Sequence, residues 1–449
     1  MVLGEWYIPS TPEPEYPDWF KDSVIALYDP AKQGITNFDV IESYAEDFSK
    51  FPWNNKKEKY TGTLTPNTLT VTNVAVTSAL IYTNSKPENF KVYITGIKDN
   101  QQVIFGNDIS TYRALIVEKD GVYDVNWEDN HYSYGIWCNF LGDCNITITQ
   151  LPTSILKDLS GNGNHAYLYG GKGKLNSGMG VYKQDYTTYK NDGNTNVEDV
   201  KPDTFVLLAG NLSRLGMPYK DIVGENIPAY KINVTGITDG TVTYFYRNED
   251  GKQLQYVIKS DGEYELPTCY REGAEGTAVN IVANNNSNKI TITQIPDYPD
   301  QLCYDGKMYT VCYGFPILRD YTVMAERTWF ERQNRACFLS KITTSGTGAF
   351  GFEFYNEYKK DATYSFGRTN DVEQFKDGIT WQITNSYNGI VKLKYMTNGK
   401  DNAELYIGKL RPTEHRGYIG CHGTIIVANR SFTEEEINWL KENIYNIEI

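Results

Sequence analysis

The strongest constraint on the fold is an internal duplication, because three segments recur in the same order 140 to 144 positions later. The matching pairs are FKVYITGI (90–97) with YKINVTGI (230–237), EKDGVYDV (118–125) with KSDGEYEL (259–266), and ITITQLP (146–152) with ITITQIP (290–296). Weaker similarity joins YAEDFSKF (44–51) to YKQDYTTY (182–189). Nearly constant spacing with small insertions in loops indicates two copies of one module.

Each copy alternates apolar and polar residues with the period of a β-strand, as in Ile290 and Ile292 against Thr291 and Thr293. The Asp-Gly pairs at 120–121 and 261–262 predict hairpin turns. Several short strands within about 100 residues predict a small β-sandwich that resembles an immunoglobulin-like domain. The two sandwiches are expected at 60–152 and 198–296.

Composition agrees with an all-β protein. The chain has 449 residues, which suggests two to four domains, and 36 of them are tyrosine, with many Asn, Thr and Gly residues beside them. Aromatic and β-branched residues suit pleated sheets, whereas Asn and Gly suit the turns between strands.

Charge and cysteine usage exclude several classes of protein. The formal net charge of −13 argues against nucleic acid as a partner, since binding to phosphates depends on basic side chains. Seven cysteines without CxxC spacing predict reduced, mostly buried thiols rather than a zinc site. The first 20 residues lack the pattern of a signal peptide, and no apolar run is long enough to span a membrane. We therefore expect synthesis in a cytoplasm.

The residues outside the two repeats are expected to form one interrupted domain from 20–45, 153–190 and 300–449, preceded by a proline-rich arm at 1–19. One short helix is predicted near the end. Thr433 and Glu436 have the spacing of a capping box, and Phe432 and Ile437 that of a hydrophobic staple. The plain role of such a helix is to cover one end of a sheet.

The remainder resembles the concanavalin A-like, laminin-G-like jelly rolls. The resemblance is carried by DLSGNGNHA (158–166), by TIIVANRSF (424–432) leading into TEEEI, by VIALYDPAKQG (24–34) and by ILRDYTVMAERTWF (317–330). The order of these parts, with YDPAKQGITN (28–37) and SGMGVY (177–182), also resembles fibre-type virion proteins of bacteriophages and prophages of gut anaerobes. The resemblance implies an all-β fold, but a fold of this kind serves many functions.

The loop from Asp158 to Asn164 has two interpretations. Its glycines permit the positive φ angles of a tight turn, and its Asn and Asp side chains can bond back to the backbone. Alternatively, Asp158, Asn162 and Asn164 could offer oxygens to calcium or to sugar hydroxyls. We favour the structural interpretation and expect no metal or cofactor.

Sequence motifs give little support to catalysis. The four histidines form no metal pattern, and no nucleophile elbow, P-loop or dinucleotide fingerprint is present. Glu326 and Glu353 could both reach a concave face, as a glycosidase would require, but the corresponding hydrolase pattern is absent. We expect a protein that is not an enzyme.

Saccharide binding is easier to motivate, since sugar rings stack on aromatic side chains while amides bind their hydroxyl groups. Trp329, Trp381, Tyr387 and Tyr418 are the candidates, although tryptophans and tyrosines are more often core residues.

The resemblance implies a non-enzymatic virion component of fibre or receptor-binding type that contacts bacterial surface glycans and other virion proteins. It also implies a homo-oligomer, since phage fibres are commonly trimers. The alternatives are a decorating or scaffold virion protein without glycan binding, and a cellular lectin-like protein.

Overall fold

The computed structural model confirms the all-β class. It describes residues 15–107, 111–189, 195–217, 226–270, 279–316, 318, 321–331, 336–341, 350–355, 362–365, 371–374, 380–385, 404–410 and 417–445. Within 350–385 the description covers the backbone alone. No helix among the described residues has the length and apolar character needed to cross a membrane.

The chain divides into two compact units. One comprises Met1–Gly34, Ile41–Gly171 and Tyr304–Ile449, and the other Ile35–Val40 and Lys172–Cys303. The first repeat therefore belongs to the same unit as most of the interrupted domain, whereas the second repeat dominates the other unit.

The described part of the expected N-terminal arm is packed rather than extended. A short helix α1 (Asp18–Ser23) leads directly into strand β1 (Val24–Tyr28). The Tyr16 ring stacks on Phe20 at 4.5 Å, and the Trp19 ring meets Trp439 edge-on at 5.6 Å. Residues 1–14 of the arm lie outside the described residues.

The first repeat is a sandwich of two antiparallel five-stranded sheets, with the orders β3-β4-β11-β6-β9 and β2-β5-β10-β7-β8. Its strands are β2 (Asn54–Asn55), β3 (Tyr60–Leu64), β4 (Thr68–Val74), β5 (Ala79–Thr83), β6 (Phe90–Thr95), β7 (Val103–Gly106), β8 (Arg113–Val117), β9 (Gly121–Val125), β10 (Tyr134–Cys138) and β11 (Gly142–Gln150).

The second repeat is also a sandwich, with the sheet orders β15-β16-β23-β18-β21 and β17-β22-β19-β20. Three strands precede it, β12 (Ile155–Leu156), β13 (Ala166–Tyr169) and β14 (Gly178–Val181). Its own strands are β15 (Val197–Glu198), β16 (Thr204–Leu207), β17 (Gly210–Met217), β18 (Tyr230–Thr235), β19 (Thr241–Arg247), β20 (Gln253–Ile258), β21 (Gly262–Leu266), β22 (Val279–Asn286) and β23 (Ile290–Ile295).

The two repeats have the same strand order. If their common strands from β4 and β16 onward are counted one to eight, both place strands 1-8-3-6 in one sheet and 2-7-4-5 in the other. This order differs from the predicted immunoglobulin-like arrangement, in which three hairpins keep consecutive strands in one sheet. Here most consecutive strands change sheet. The Asp-Gly pairs at 120–121 and 261–262 accordingly join strands of opposite sheets, not the hairpin partners that the sequence suggested.

The repeated sequence motifs make the same contacts in both copies. The side chain of Gln150 accepts from Glu46 N and donates to Glu46 O, and that of Gln294 accepts from Gln184 N and donates to Gln184 O. Both glutamines are buried, so their amides are satisfied by the backbone of the segment before each repeat. The upstream segments at 44–51 and 182–189 therefore make the same contact with their own repeats.

The hydrophobic cores also extend upstream of the expected boundaries at 60 and 198. Phe48 and Trp53 lie in the core of the first repeat, and Tyr186 and Tyr189 lie in the core of the second. Each module therefore begins near the upstream similarity, and Tyr186 and Tyr189 pack with the second repeat rather than in the interrupted domain.

The remaining elements build two further sheets. They are β24 (Asp297–Asp305), β25 (Tyr309–Cys312), β26 (Thr322–Glu331), β27 (Ala336–Lys341), β28 (Phe350–Tyr355), β29 (Ala362–Ser365), β30 (Asp371–Gln374), β31 (Thr380–Asn385), β32 (Leu405–Ile407), β33 (Ile419–Ala428) and helix α2 (Glu434–Asn443). In one sheet β33 lies between β1 and β26, followed by β31 and β30; the other has the order β12-β13-β25-β32-β27-β28-β29.

Rings from the two sheets meet in a shared interior. Phe338 on β27 lies 5.0 Å from Tyr418 and 6.1 Å from His422 on β33, measured between ring centroids. Strands from 24–28, 155–169 and 309–428 thus contribute to one pair of sheets.

The predicted C-terminal helix is confirmed. Thr433 Oγ1 accepts from Glu436 N, and the Glu436 carboxylate accepts from Thr433 N, which completes the capping box. Phe432 and Leu440 are buried in a cluster that also contains Phe20 and Met324, so helix α2 covers the outer face of the β1-β33-β26 sheet.

A tyrosine cluster joins the first repeat to the second sheet of its own unit. The Tyr93 ring lies 4.3 Å from Tyr313, whose hydroxyl is 2.9 Å from that of Tyr169. The Tyr93 and Tyr406 hydroxyls both donate to the Glu404 carboxylate at 3.2 Å. Several tyrosines are therefore used where this sheet and the first repeat pack, which suits a side chain with an apolar body and a polar tip.

Candidate functional site

The loop from Asp158 to Asn164 fastens the chain to strand β1. Asp158 Oδ1 accepts from Leu27 N and Ser160 N, both at 2.9 Å, and Oδ2 accepts from Asn164 N at 3.0 Å. Asn162 Nδ2 donates to Val24 O at 3.0 Å. Asn164 Nδ2 donates to Ile25 O at 2.6 Å.

These contacts favour the structural interpretation of the loop over a ligand site. Gly161 and Gly163 have φ angles of 86° and 76°, which a residue with a side chain would adopt only with strain. Both Asp158 oxygens already accept backbone N–H groups. Among the described residues, no three His, Cys, Asp or Glu side chains are grouped as a metal site would require.

Tyr418 was predicted to bind saccharides, and its environment shows that this prediction is wrong. Its side chain is 0% exposed, and its hydroxyl is 2.7 Å from both Thr328 O and Cys421 O. A buried ring cannot stack on a sugar. Trp329 is partly buried, and its indole meets Tyr418 edge-on at 4.6 Å, so it packs against this core residue.

The other two aromatic candidates lie in the least described part of the chain. Trp381 is on strand β31, where its backbone pairs with Glu326, and its side chain is outside the described residues. Tyr387 lies wholly outside them.

The carboxylates considered for catalysis occupy different surroundings. Burial, and then the nearby Asp29 carboxylate, raise the pKa of Glu326, which lies against Gly423. Asp29 is itself engaged, since Oδ1 accepts from Lys32 N and Oδ2 from Thr424 Oγ1, both at 3.1 Å. Glu353 is on β28, and its side chain is outside the described residues.

A cleft on the outer face of the first repeat has the properties of a ligand site. It has a volume of about 460 Å³, within the range of small-molecule sites. Its lining residues are Lys56, Lys59, Ser78, Ala79, Tyr82, Asn84, Asn107, Tyr132, Ser133 and Trp137. Aromatic, amide, hydroxyl and cationic groups therefore line the same cleft.

Two glycines lie beside the Trp137 indole, next to this cleft. Gly135 on β10 pairs with Tyr82 on β5 and with Gly106 on β7, so two neighbouring positions across the sheet lack side chains. A Cβ at Gly135 would lie 3.1 Å from Trp137 Nε1 and 2.8 Å from Ile81 O. Any side chain at position 135 would therefore crowd the indole of Trp137.

The three aromatic side chains of the cleft are held to different degrees. Trp137 Nε1 donates to Gly106 O at 3.2 Å, which holds the half-buried indole in place. Tyr132 is 73% exposed. The ammonium group of Lys56 lies 4.9 Å from the centroid of the Tyr82 ring, a cation–π contact. The cleft therefore contains the fixed ring of Trp137, the exposed ring of Tyr132, and the ring of Tyr82 with an ammonium group over it.

The additional strand β2 places the two lysines of the cleft. It pairs with β5 at the edge of the sheet, and the second repeat has no described strand in the corresponding position. Lys56 N donates to Leu80 O at 2.9 Å directly after β2, and Lys59 N donates to Lys56 O at 2.8 Å. The corresponding strands β17, β22, β19 and β20 of the second repeat also contain no tryptophan.

The sequence holds a weak signal for this cleft. In YGIWC (134–138), Tyr134, Ile136 and Cys138 are buried, so Gly135 and Trp137 point to the other face of the strand. A tryptophan on the outward-facing positions of an alternating strand, near a glycine on the same face, indicates an aromatic ring at the surface of the sheet beside a position without a side chain.

Comparison with known proteins gives no functional lead. No protein-family model matches the chain, and no curated protein matches it. Among solved structures, it is similar to the secreted serine protease VesC from Vibrio cholerae at 14% identity and a TM-score of 0.15. The match covers 52% of this chain and 47% of that protein, so it spans about half of each. A score this low supports no conclusion about fold or function.

Proposed function

We propose that this protein is a non-enzymatic saccharide-binding protein that uses the cleft of the first repeat. The observation that carries the proposal is the combination of Trp137, Tyr132 and Tyr82 with the amide of Asn84 around one cavity. Aromatic faces stack on the C–H faces of sugar rings, and amides bind hydroxyl groups. We propose this cleft as the saccharide-binding site, in place of the four aromatic residues expected from the sequence.

We further propose that the protein is a virion component of fibre or receptor-binding type that contacts bacterial surface glycans. The support is the sequence resemblance to fibre-type phage proteins, together with the repeated β-sandwich modules. The strand order 1-8-3-6 and 2-7-4-5 is that of a double Greek key, so we infer that each repeat is a small jelly roll. We retain the concanavalin A-like jelly roll as the proposal for the interrupted domain, and a homotrimer as the proposed assembly.

A non-enzymatic role fits the carboxylates that are described. Both oxygens of Asp29 accept hydrogen bonds within the fold, and Glu326 is largely shielded beside it on the β1-β33-β26 sheet. Glu326 therefore lies against the sheet, and the side chain of Glu353, the other glutamate considered for a glycosidase, is outside the described residues.

We expect Trp137→Ala to weaken saccharide binding by about 30-fold, because an aromatic side chain at the centre of a binding site typically contributes about 2 kcal/mol. Tyr132→Ala should weaken it by about fivefold, since this ring is 73% exposed at the rim. The measurement is a glycan array with the purified chain, followed by calorimetric titration of the bound saccharides.

Phe330→Ala is the matched control, because it removes a surface aromatic residue that is 39% exposed and lies outside the cleft. It should leave the affinity unchanged. Tyr132→Ala also guards against misfolding as an explanation, since it removes little buried area. An array without any bound saccharide, or equal affinities for wild type and both cleft variants, would refute this site.

A further inference from the structure

We infer that the cleft selects acidic saccharides and that Lys56 and Lys59 bind their carboxylate groups. This inference rests on the proposed function and adds the class of ligand. Both lysines line the cavity together with Tyr82 and Trp137, so a sugar ring stacked there would bring a substituent within reach of an ammonium group.

The two lysines are not neutralised within the fold. None of the residues that line the cleft is acidic. Across the described residues, no carboxylate forms a salt bridge with Lys56 or Lys59, whereas Lys50, Lys86 and Lys91 of the same repeat are paired with aspartates. Two cations in a cleft without a counter-ion favour an anionic ligand.

Partial burial strengthens this preference. Lys56 and Lys59 are both partly buried, and the Lys56 ammonium group is held over the Tyr82 ring at 4.9 Å. An ammonium group held near apolar surface binds an anion more strongly than one in open water, because the local dielectric constant is lower. The whole chain has a net charge of −13, so the cleft is a local positive site on an acidic protein.

The second repeat provides an internal contrast. It has the same strand order but no described counterpart of β2, the strand that precedes Lys56 and Lys59. The positions of the two lysines thus depend on strand β2, which the first repeat has and the described part of the second repeat lacks. Specialisation of one copy for a charged ligand is consistent with this difference.

The test compares oligogalacturonate and a sialylated oligosaccharide with their carboxyl-reduced derivatives, which keep the linkage and lose the charge. At least one of the two acidic probes should bind about tenfold more tightly than its own reduced form. Raising the salt concentration should make this difference in affinity smaller. Lys56→Gln and Lys59→Gln should each weaken binding of the acidic form by about fivefold, and that of the uncharged reduced form by no more than about twofold.

Lys57→Gln is the matched control, because Lys57 lies in the same turn, is exposed and does not line the cleft. It should leave both affinities unchanged. If acidic and reduced forms bind equally well, and Trp137→Ala still weakens binding of both, the preference for acidic ligands is wrong while the saccharide site stands. If neither form binds, both proposals are wrong.

Discussion

Replacing Asp158 by alanine is expected to lower the free energy of unfolding by about 4 kcal/mol. The buried carboxylate accepts three backbone N–H groups, from Leu27, Ser160 and Asn164. Alanine would remove the acceptor and leave these donors without a partner, and the Leu27 bond ties the loop to strand β1. Urea unfolding followed by circular dichroism measures the loss.

Amide hydrogen exchange locates the effect of this substitution. Exchange at Leu27, Ser160 and Asn164 should accelerate in Asp158→Ala more than elsewhere in the unit. Asp158→Asn retains one acceptor oxygen and should lose about half as much stability. Asp239→Ala is the control, because Asp239 also accepts a backbone N–H group, from Ser287 at 2.9 Å, but is exposed. A loss in Asp158→Ala no greater than in this control would show that the loop does not fasten the strand.

The duplication could be predicted from sequence because both copies use the same residue types to make the same backbone contacts. Gln150 and Gln294, and likewise Asp120 and Asp261, satisfy backbone groups close to them, so both copies retain the same letters. The assignment of strands to sheets could not be predicted in this way. It depends on where each connection crosses the sandwich, and an immunoglobulin-like module has strands and turns of similar length.

The candidate site was harder to predict, because exposure decides whether an aromatic residue can bind a sugar. Tyr418 is at a strand end in the sequence, yet it is buried where two sheets meet. Trp137 lies on an ordinary alternating strand, and its indole is held by a hydrogen bond to Gly106 O, which is 31 positions away in the chain. Sequence spacing does not report which backbone carbonyl on a neighbouring strand holds an indole in place.

His422 should make the stability of the sandwich depend on pH. It is fully buried, and burial lowers the pKa of its imidazole from 6.5 to about 4. Nδ1 donates to Gly423 O at 2.7 Å, and Nε2 lies 3.2 Å from the Tyr304 hydroxyl, which donates to it. The neutral ring is therefore the form that fits the fold.

The direction of the pH effect follows from this lowered pKa. Above about pH 6.5 the histidine is neutral in both states, so its contribution to stability is fully present. As the pH falls from about 6.5 to about 4, His422 binds a proton in the unfolded chain but not in the folded chain. The free energy of unfolding therefore falls by about 3 kcal/mol over this range. The measurement is the free energy of unfolding in urea at several pH values between these limits.

Comparison with His422→Gln isolates this contribution from that of the carboxylates, which titrate in the same way in both proteins. The difference in unfolding free energy between wild type and His422→Gln should shrink as the pH falls, because only the wild type loses the histidine contribution. His131→Gln is the control, since the His131 side chain is 24% exposed and stacks on Tyr112 at the surface of the first repeat. A difference between wild type and His422→Gln that stays constant from pH 7 to pH 4 would mean that the buried imidazole is protonated in the fold, contrary to its apolar surroundings.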